Sequence, residues 1–291
     1  MLLPVGGSIF FIPYLYPKSN NMKKLTILLL VLAALTSCKV SVQHGDDAKS
    51  KQSSVNTEAL KSVLYMQTAA EYRALCYQTF NFGKVRLDNY LKRMNMSKKY
   101  AIVVDIDETV LDNSPHAAQS LIDGTNYPTG WSEWIKKAEA KPIPGALEFL
   151  NYADEKGIDV FYISNRKEEL KEATIVNLQE VGFPNVSDET VMLRTTTSGK
   201  EPRREVVSET HEIIMLFGDN LTDFLPVFEK KSIDDRFGLV DKYEKEFGAK
   251  FFVLPNPSYG DWEGAIYDFD YSLSEQEKLS AKAKMLNGFM E

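Results

Sequence analysis

The stretch Tyr100-Ala101-Ile102-Val103-Val104-Asp105-Ile106-Asp107-Glu108-Thr109-Val110-Leu111-Asp112-Asn113 decides how this chain is read. Residues 100–104 are apolar without interruption and rich in Ile and Val, the pattern of a strand covered on both faces of a parallel sheet. In open α/β sheets, chemistry gathers beyond the carboxyl ends of such strands. Asp105 and Asp107 stand there, two residues apart, where desolvation and mutual repulsion are costly unless a cation or a reaction uses them. A solvated acidic turn is the plain alternative, and three stretches further along the chain count against it.

The first is Ser164-Asn165-Arg166, which ends the apolar run 160–163. A hydroxyl and free amide N–H groups at a strand end can hold a phosphate oxygen, although such a serine taken alone reads as a turn former. The second is Lys200, in Ser198-Gly199-Lys200-Glu201-Pro202-Arg203-Arg204. Its ammonium can neutralise a transferring phosphoryl group, although taken alone it reads as a solvated loop lysine. The third is Gly218-Asp219-Asn220-Leu221-Thr222-Asp223-Phe224, after an expected strand at 213–217. Two acids four residues apart across a strand-to-helix junction can face one point, as the oxygen ligands of a hard cation must.

Together these pieces meet the needs of phosphomonoester cleavage. Asp105 supplies a carboxylate nucleophile, giving an aspartyl-phosphate intermediate. Asp107 is placed to protonate the leaving oxygen and then to activate water. Asp105, the carbonyl of Asp107, and Asp219 would hold Mg²⁺, which keeps several waters and shares the substrate phosphate. Asp223 is expected behind these ligands, bonding one of them or reaching the ion through a water.

In this order the motifs resemble those of the haloacid dehalogenase (HAD) superfamily, and within it the class C acid phosphatases, the lipoprotein e(P4)-like 5′-nucleotidases. The resemblance is carried by Asp105-Ile106-Asp107-Glu108-Thr109-Val110-Leu111-Asp112-Asn113-Ser114-Pro115, Phe161-Tyr162-Ile163-Ser164-Asn165-Arg166 and Gly218-Asp219-Asn220-Leu221-Thr222-Asp223-Phe224. Three further segments are similar to the same family: Tyr65-Met66-Gln67-Thr68-Ala69-Ala70-Glu71-Tyr72-Arg73-Ala74-Leu75, Trp131-Ser132-Glu133-Trp134, and Leu254-Pro255-Asn256-Pro257-Ser258-Tyr259-Gly260-Asp261-Trp262. By that resemblance Trp131 and Tyr259 would sandwich a nucleobase or other ring, with stacking worth ~1–3 kcal/mol per base. Trp134 reads instead as a core or interface aromatic. Relatives often carry Tyr where this chain has His116, so the ring-binding surface is expected to differ.

The expected architecture is α/β, a HAD-like doubly wound parallel sheet of about five strands with a smaller α-helical subdomain. N-terminal helices are expected over 57–98 and the phosphatase core over 99–270, interrupted by a mostly helical insert at 113–141, with a tail at 271–291. Within the core, strands are expected at 100–106, 158–164, 191–195, 213–219 and 250–254. Helices are expected at 145–156, 167–181, 203–210, from Thr222 onward and near 241–247, with a polar loop between the last two.

The 291 residues allow one large domain, or one plus a small accessory, and 44% hydrophobic residues permit a proper core. A formal charge of −7 argues against a nucleic-acid polymer as partner. Residues 1–37 carry Lys18, Lys23 and Lys24 and no acid, so the remaining 31 basic and 41 acidic residues leave −10 from Cys38 onward. An enzyme for anionic phosphates with that charge must focus positive potential locally, through the metal, Lys200, Arg166, Arg203 and Arg204.

Residues 1–37 read as an address, not as fold. Met22-Lys23-Lys24 and the eleven-residue apolar run 25–35 form a basic n-region and an h-region too short to span a bilayer. Residues 1–21 sit awkwardly before the lysine pair, so Met22 reads as the true start. Leu35-Thr36-Ser37-Cys38 resembles a bacterial lipobox, which implies cleavage before Cys38 and acylation of its thiol and new amine; a chance cysteine after an ordinary secretory signal is the alternative. Residues 38–56 are polar and read as a tether. The expected place is the bacterial cell envelope, lipid-anchored at the outer membrane. With Cys38 lipidated, Cys76 has no disulfide partner and reads as a buried thiol.

The reading is therefore a Mg²⁺-dependent acid phosphatase whose partners are a small-molecule phosphomonoester, first a nucleoside 5′-monophosphate, and a membrane through its anchor. A homodimer is left open. A broad phosphomonoesterase and a non-catalytic surface-binding lipoprotein stand as alternatives.

Overall fold

Strands that alternate with helices along the chain build one parallel sheet, as the apolar runs predict. The structure, a computed structural model, describes residues 57–93, 95 and 97–289. The expected signal region, Cys38 and the tether lie outside the described residues. Two helices come first, α1 (Thr57–Thr68) and α2 (Ala70–Leu91), followed by β1 (Tyr100–Val104) and β2 (Leu111–Asp112). The insert holds α3 (Ser114–Asp123) and α4 (Trp131–Lys137) and closes on β3 (Lys141–Pro142). Then come α5 (Ala146–Glu155), β4 (Asp159–Lys167), α6 (Lys171–Val181), β5 (Val191–Arg194), α7 (Glu201–Ser208) and β6 (Glu212–Gly218). The chain finishes with α8 (Ile233–Lys242), β7 (Phe251–Val253), α9 (Asp261–Gly264) and α10 (Glu275–Lys284).

The sheet order is β5-β4-β1-β6-β7, and every pairing in it is parallel. All five residues of β1 are buried, because helices cover both faces of the central strand. One face packs Phe217 of β6 between Phe80 of α2 and Phe252 of β7, with ring centroids 5.3 and 4.6 Å away. Gly83 lets α2 lie this close: a Cβ there would meet the Phe217 ring at 2.7 Å. The other face gathers Ala101, Val103, Ile163, Val207, Leu216, Phe224 and Phe251. Of the two N-terminal helices, α2 packs on α5 and the edge strand β7, whereas α1 packs on α3 of the insert. Cys76 is fully buried in α2, and burial pushes its thiol up to about 11.

Several elements differ from the sequence expectation. The helix expected from Thr222 is two single 3₁₀ turns, at Leu221–Asp223 and Pro226–Phe228; Pro226 cannot donate the backbone bond a continuing helix needs. The following helix, α8, occupies the stretch expected as a polar loop and ends where a helix was expected to begin. Ser232 starts it, its side chain accepting the Asp235 N–H. The expected tail contains α10, opened by a capping box between Ser274 and Glu277. The insert is bounded by an antiparallel pair, β2 with β3, that no alternation in the sequence announced.

Candidate active site

The parallel ladder delivers the site. Asp105 follows β1 directly, and its N–H donates to the Phe217 carbonyl of β6 at 2.9 Å, so the carboxylate emerges at the carboxyl edge of the sheet. Asp219 follows β6 on the neighbouring strand. Asp223 returns toward it because Gly218 has no side chain: a Cβ there would lie 2.4 Å from the Asp223 carboxylate. The Asn220 N–H donates to Asp223 Oδ2 at 2.9 Å and locks the turn. Carboxylate oxygens of Asp105, Asp219 and Asp223 all lie within 4.8 Å of one another. Asp223, expected behind the metal ligands, has its carboxylate beside theirs in this cluster.

Lys200, at the start of α7, reaches into this cluster from the other side. Its ammonium donates to Asp105 Oδ1 and lies 2.7 Å from Asp223 Oδ1, with only 6% of its side chain exposed. One buried cation does not balance three acids. Burial pushes the Asp105 carboxyl up to about 7, with Lys200 opposing and Asp223 and Asp107 adding to the rise. Asp219 is raised for the same reasons, burial first and then Asp223 and Asp105. Asn256 Nδ2 donates to Asp219 Oδ2 at 2.8 Å and works against that rise. A donor set of clustered carboxylate oxygens with excess negative charge fits a hard divalent cation of the Mg²⁺ or Ca²⁺ kind.

Asp107 faces a different set of partners. Arg166 Nε and Nη2 donate to its Oδ1 at 2.9 and 2.8 Å, and Asn113 Nδ2 donates to the same oxygen at 2.8 Å. Ser164 Oγ donates to Oδ2 at 3.2 Å and accepts the Arg166 N–H at 3.1 Å. The Ser164 hydroxyl, expected to face phosphate, is thereby engaged with Asp107 and fully buried. Asn165 is exposed, its Oδ1 accepting from Arg203 Nη2 at 2.8 Å. Arg204 Nη1 donates to the Asp223 carbonyl at 2.7 Å. The three arginines expected to supply loose positive potential instead bind Asp107 and the two loops that carry Asn165 and Asp223.

Trp131 and Tyr259 line the same cleft as Asp105 and Lys200, with a volume of about 1420 Å³. His116 and Tyr127 meet the Trp131 ring edge-on, with centroids 5.2 and 5.9 Å away, and the Arg166 guanidinium lies 5.9 Å from its centre. Tyr259 is 45% exposed and donates its hydroxyl to Glu108 Oε2. Trp134 packs against the core, and its Nε1 donates to Asn113 Oδ1 at 2.8 Å, which fixes the amide that bonds Asp107. Asn113, Asn256 and Glu108 were not singled out as site residues from the sequence. Asn113 ends the opening motif and could have been marked by it; Asn256 carries no signal beyond its place in a Pro-Asn-Pro turn.

Comparison with known proteins agrees with this geometry. Residues 18–262 match the family model described as HAD superfamily, subfamily IIIB (acid phosphatase). The fold is similar to two crystal structures of the class C acid phosphatase from Bacillus anthracis, one of them with tungstate bound. The identity is 48% and the TM-score 0.77, over 80% of this chain and 98% of that one. Vegetative storage protein 1 of Arabidopsis thaliana is 28% identical over 169 residues, 54% of either chain. Acid phosphatase 1 of Solanum lycopersicum is 24% identical over 170 residues, 54% of this chain and 57% of that one. The match spans 50% to 63% of the length of these and similar curated plant relatives. The clustered carboxylates at the ends of β1 and β6, the buried lysine facing them and these matches agree: the chain belongs to the subfamily IIIB acid phosphatases of the HAD superfamily.

Proposed function

We propose that this chain is a Mg²⁺-dependent phosphomonoesterase that works through an aspartyl-phosphate on Asp105 and acts on nucleoside 5′-monophosphates. The observation that carries the reading is the cluster of Asp105, Asp219 and Asp223 around the Lys200 ammonium, with Asp107 held apart from it on its own partners. Asp105 would attack phosphorus as its carboxylate while the bond to the leaving oxygen breaks, and Asp107 would give that oxygen a proton. Asp107 would then take a proton from a water attacking the acyl phosphate, releasing inorganic phosphate and restoring the Asp105 carboxylate. Lys200 is placed to meet the negative charge of the phosphoryl oxygens as they move. Bound Mg²⁺, held by Asp105, Asp219 and the Asp107 carbonyl, would supply further positive charge to the same oxygens. The tungstate-bound relative supports the reading, since tungstate is a tetrahedral oxyanion like phosphate.

Metal removal tests this directly. Dialysis against a strong chelator should abolish hydrolysis of an aryl phosphate, and Mg²⁺ should restore it. Asp219→Ala should raise the half-saturating Mg²⁺ concentration by more than the roughly 10–100-fold that follows loss of a group touching only the ligands. Full activity after exhaustive chelation would remove the metal from the reading. A panel comparing nucleoside monophosphates with glycerol phosphate separates a nucleotidase from a broad phosphomonoesterase.

The proposed setting is the bacterial cell envelope, with Cys38 carrying lipid at the outer membrane. The support is the basic pair Lys23-Lys24, the apolar run 25–35 and the Leu35-Thr36-Ser37-Cys38 stretch. Among the described residues no helix is long and apolar enough to cross a membrane. Cys38→Ser should shift the protein from the membrane fraction and block lipidation, read by mass and by fractionation. A wild-type protein recovered wholly in the cytosol with residues 22–37 attached would refute export.

A further inference from the structure

Glu108 is costly in ways that the proposed chemistry does not explain. It follows Asp107 directly, and its φ of 58° is a left-handed conformation that a residue with a long side chain adopts only under constraint. Its side chain is 1% exposed and lies beside the carboxylates of Asp107 and Asp219. Glycine would relieve the backbone and remove a carboxyl whose ionised form is disfavoured by burial and by Asp107 and Asp219 beside it, yet the chain holds glutamate there.

Two hydrogen bonds account for the carboxylate. Oε1 accepts the Asn113 N–H at 3.0 Å, closing the turn that the Glu108 N–H also closes on the Leu111 carbonyl at 2.9 Å. Oε2 accepts the phenol of Tyr259, which sits in the loop after β7, 151 residues away. The Tyr259 N–H donates to Asn256 Oδ1, and Asn256 in turn bonds Asp219. A half-exposed ring on the wall of the cleft is thus tied at its backbone and at its hydroxyl to the two turns that carry Asp107 and Asp219.

We infer that Glu108 is a positioning residue for substrate choice: its carboxylate pins the Tyr259 hydroxyl and so fixes the aromatic wall of the cleft relative to Asp105. The inference rests on the reading of Tyr259 as a wall for the leaving group's ring. A free tyrosine would lose rotamer freedom each time a ring stacked on it, and a pinned one has lost that freedom before substrate arrives. The bond therefore favours leaving groups that carry a planar ring near the ester oxygen over flexible alkyl ones.

The test is the ratio of kcat/KM for a nucleoside 5′-monophosphate to that for glycerol phosphate, at saturating Mg²⁺. It compares wild type with Glu108→Gly, Glu108→Gln, Tyr259→Phe and the double variant Glu108→Gly/Tyr259→Phe. Tyr259→Ala serves as the control on the ring itself. Glycine accepts the φ of residue 108, and the other two single changes are nearly isosteric, so folded protein is expected throughout. Glu108→Gly and Tyr259→Phe should each lower the ratio by roughly three- to tenfold, the scale of one net hydrogen bond. The loss should appear in KM of the ring substrate. Glu108→Gln keeps an acceptor oxygen and should restore most of the ratio. The double variant should fall no further than Glu108→Gly alone, because the phenylalanine removes only the Glu108–Tyr259 bond that the glycine has already removed along with the one to the Asn113 N–H. A wild-type ratio in Tyr259→Phe, or losses that add in the double variant, would show that Glu108 does not act through Tyr259. If Tyr259→Ala loses both substrates equally, the ring-wall reading fails and the inference fails with it.

Discussion

Asp105→Asn is expected to lower kcat by roughly 10⁴-fold or more, the scale on which a covalent nucleophile's removal is felt, while leaving the fold as stable as before or firmer. The amide keeps the shape, but its oxygen carries no charge with which to attack phosphorus. The stability sign follows from the surroundings. Lys200 remains paired with Asp223 at 2.7 Å when Asp105 is neutral, so no buried cation is stranded. Burial, with Asp223 and Asp107, holds the Asp105 carboxyl at about 7 against an ordinary 3.8, despite Lys200. A carboxyl raised in the folded state contributes its stability while protonated, fully below about 3.8, and loses it as the pH rises through about 7. In chelator, the melting temperature of Asp105→Asn relative to wild type should therefore climb between pH 4 and pH 7 and stay highest above that. Activity within tenfold of wild type would remove Asp105 from the nucleophile's place, and a variant that melts lower at pH 8 would overturn the charge argument.

Much of the fold was legible because buried parallel strands announce themselves as short apolar runs. The expected strands at 100–106, 158–164, 191–195, 213–219 and 250–254 match β1, β4, β5, β6 and β7 to within a few residues. The carboxylates at their ends were legible because acids are costly at such positions. Elements whose stability is local but whose sequence is polar were harder to see. The stretch that leads into α8 and opens it reads Glu229-Lys230-Lys231-Ser232-Ile233-Asp234-Asp235, more charged than apolar, and only the Ser232 cap marks the start of the helix. A two-residue pairing such as Leu111–Pro142 has no period to detect. In the site, contacts that join distant segments left no trace in spacing. Arg166 to Asp107 and Glu108 to Tyr259 are 59 and 151 residues apart. The sequence shows an arginine, an acid and a tyrosine, and only the closed sheet shows that they meet.

That first pairing gives Asp107→Asn a different signature from Asp105→Asn. Loss of a general acid and base costs about 10²–10⁴-fold in rate, but the loss should depend on the leaving group. A nitrophenolate departs without a proton, whereas a nucleoside 5′-alkoxide needs one. Under the proposed mechanism, p-nitrophenyl phosphate would still phosphorylate Asp105 in this variant, while the water that must clear the acyl phosphate would have lost its base. The variant should release nitrophenolate in a burst approaching one equivalent per active site and then turn over slowly, whereas a nucleoside monophosphate should give no burst. Stability should move opposite to the Asp105 variant. The Arg166 side chain is 1% exposed, and a neutral amide leaves its guanidinium without the carboxylate it bonded twice. Breaking a buried pair by removing one partner costs roughly 3–5 kcal/mol. Because the Asp107 side chain is 17% exposed, the lower end of that range applies. Chemical denaturation of the two variants side by side reads this out, with Asp107→Asn unfolding earlier than wild type. Steady turnover at the wild-type rate without a burst would take the acid and base roles away from Asp107. A wild-type unfolding midpoint would mean that the neutral amide and the Thr174 hydroxyl, which accepts from Arg166 Nη1 at 3.1 Å, suffice to hold the guanidinium without the charge.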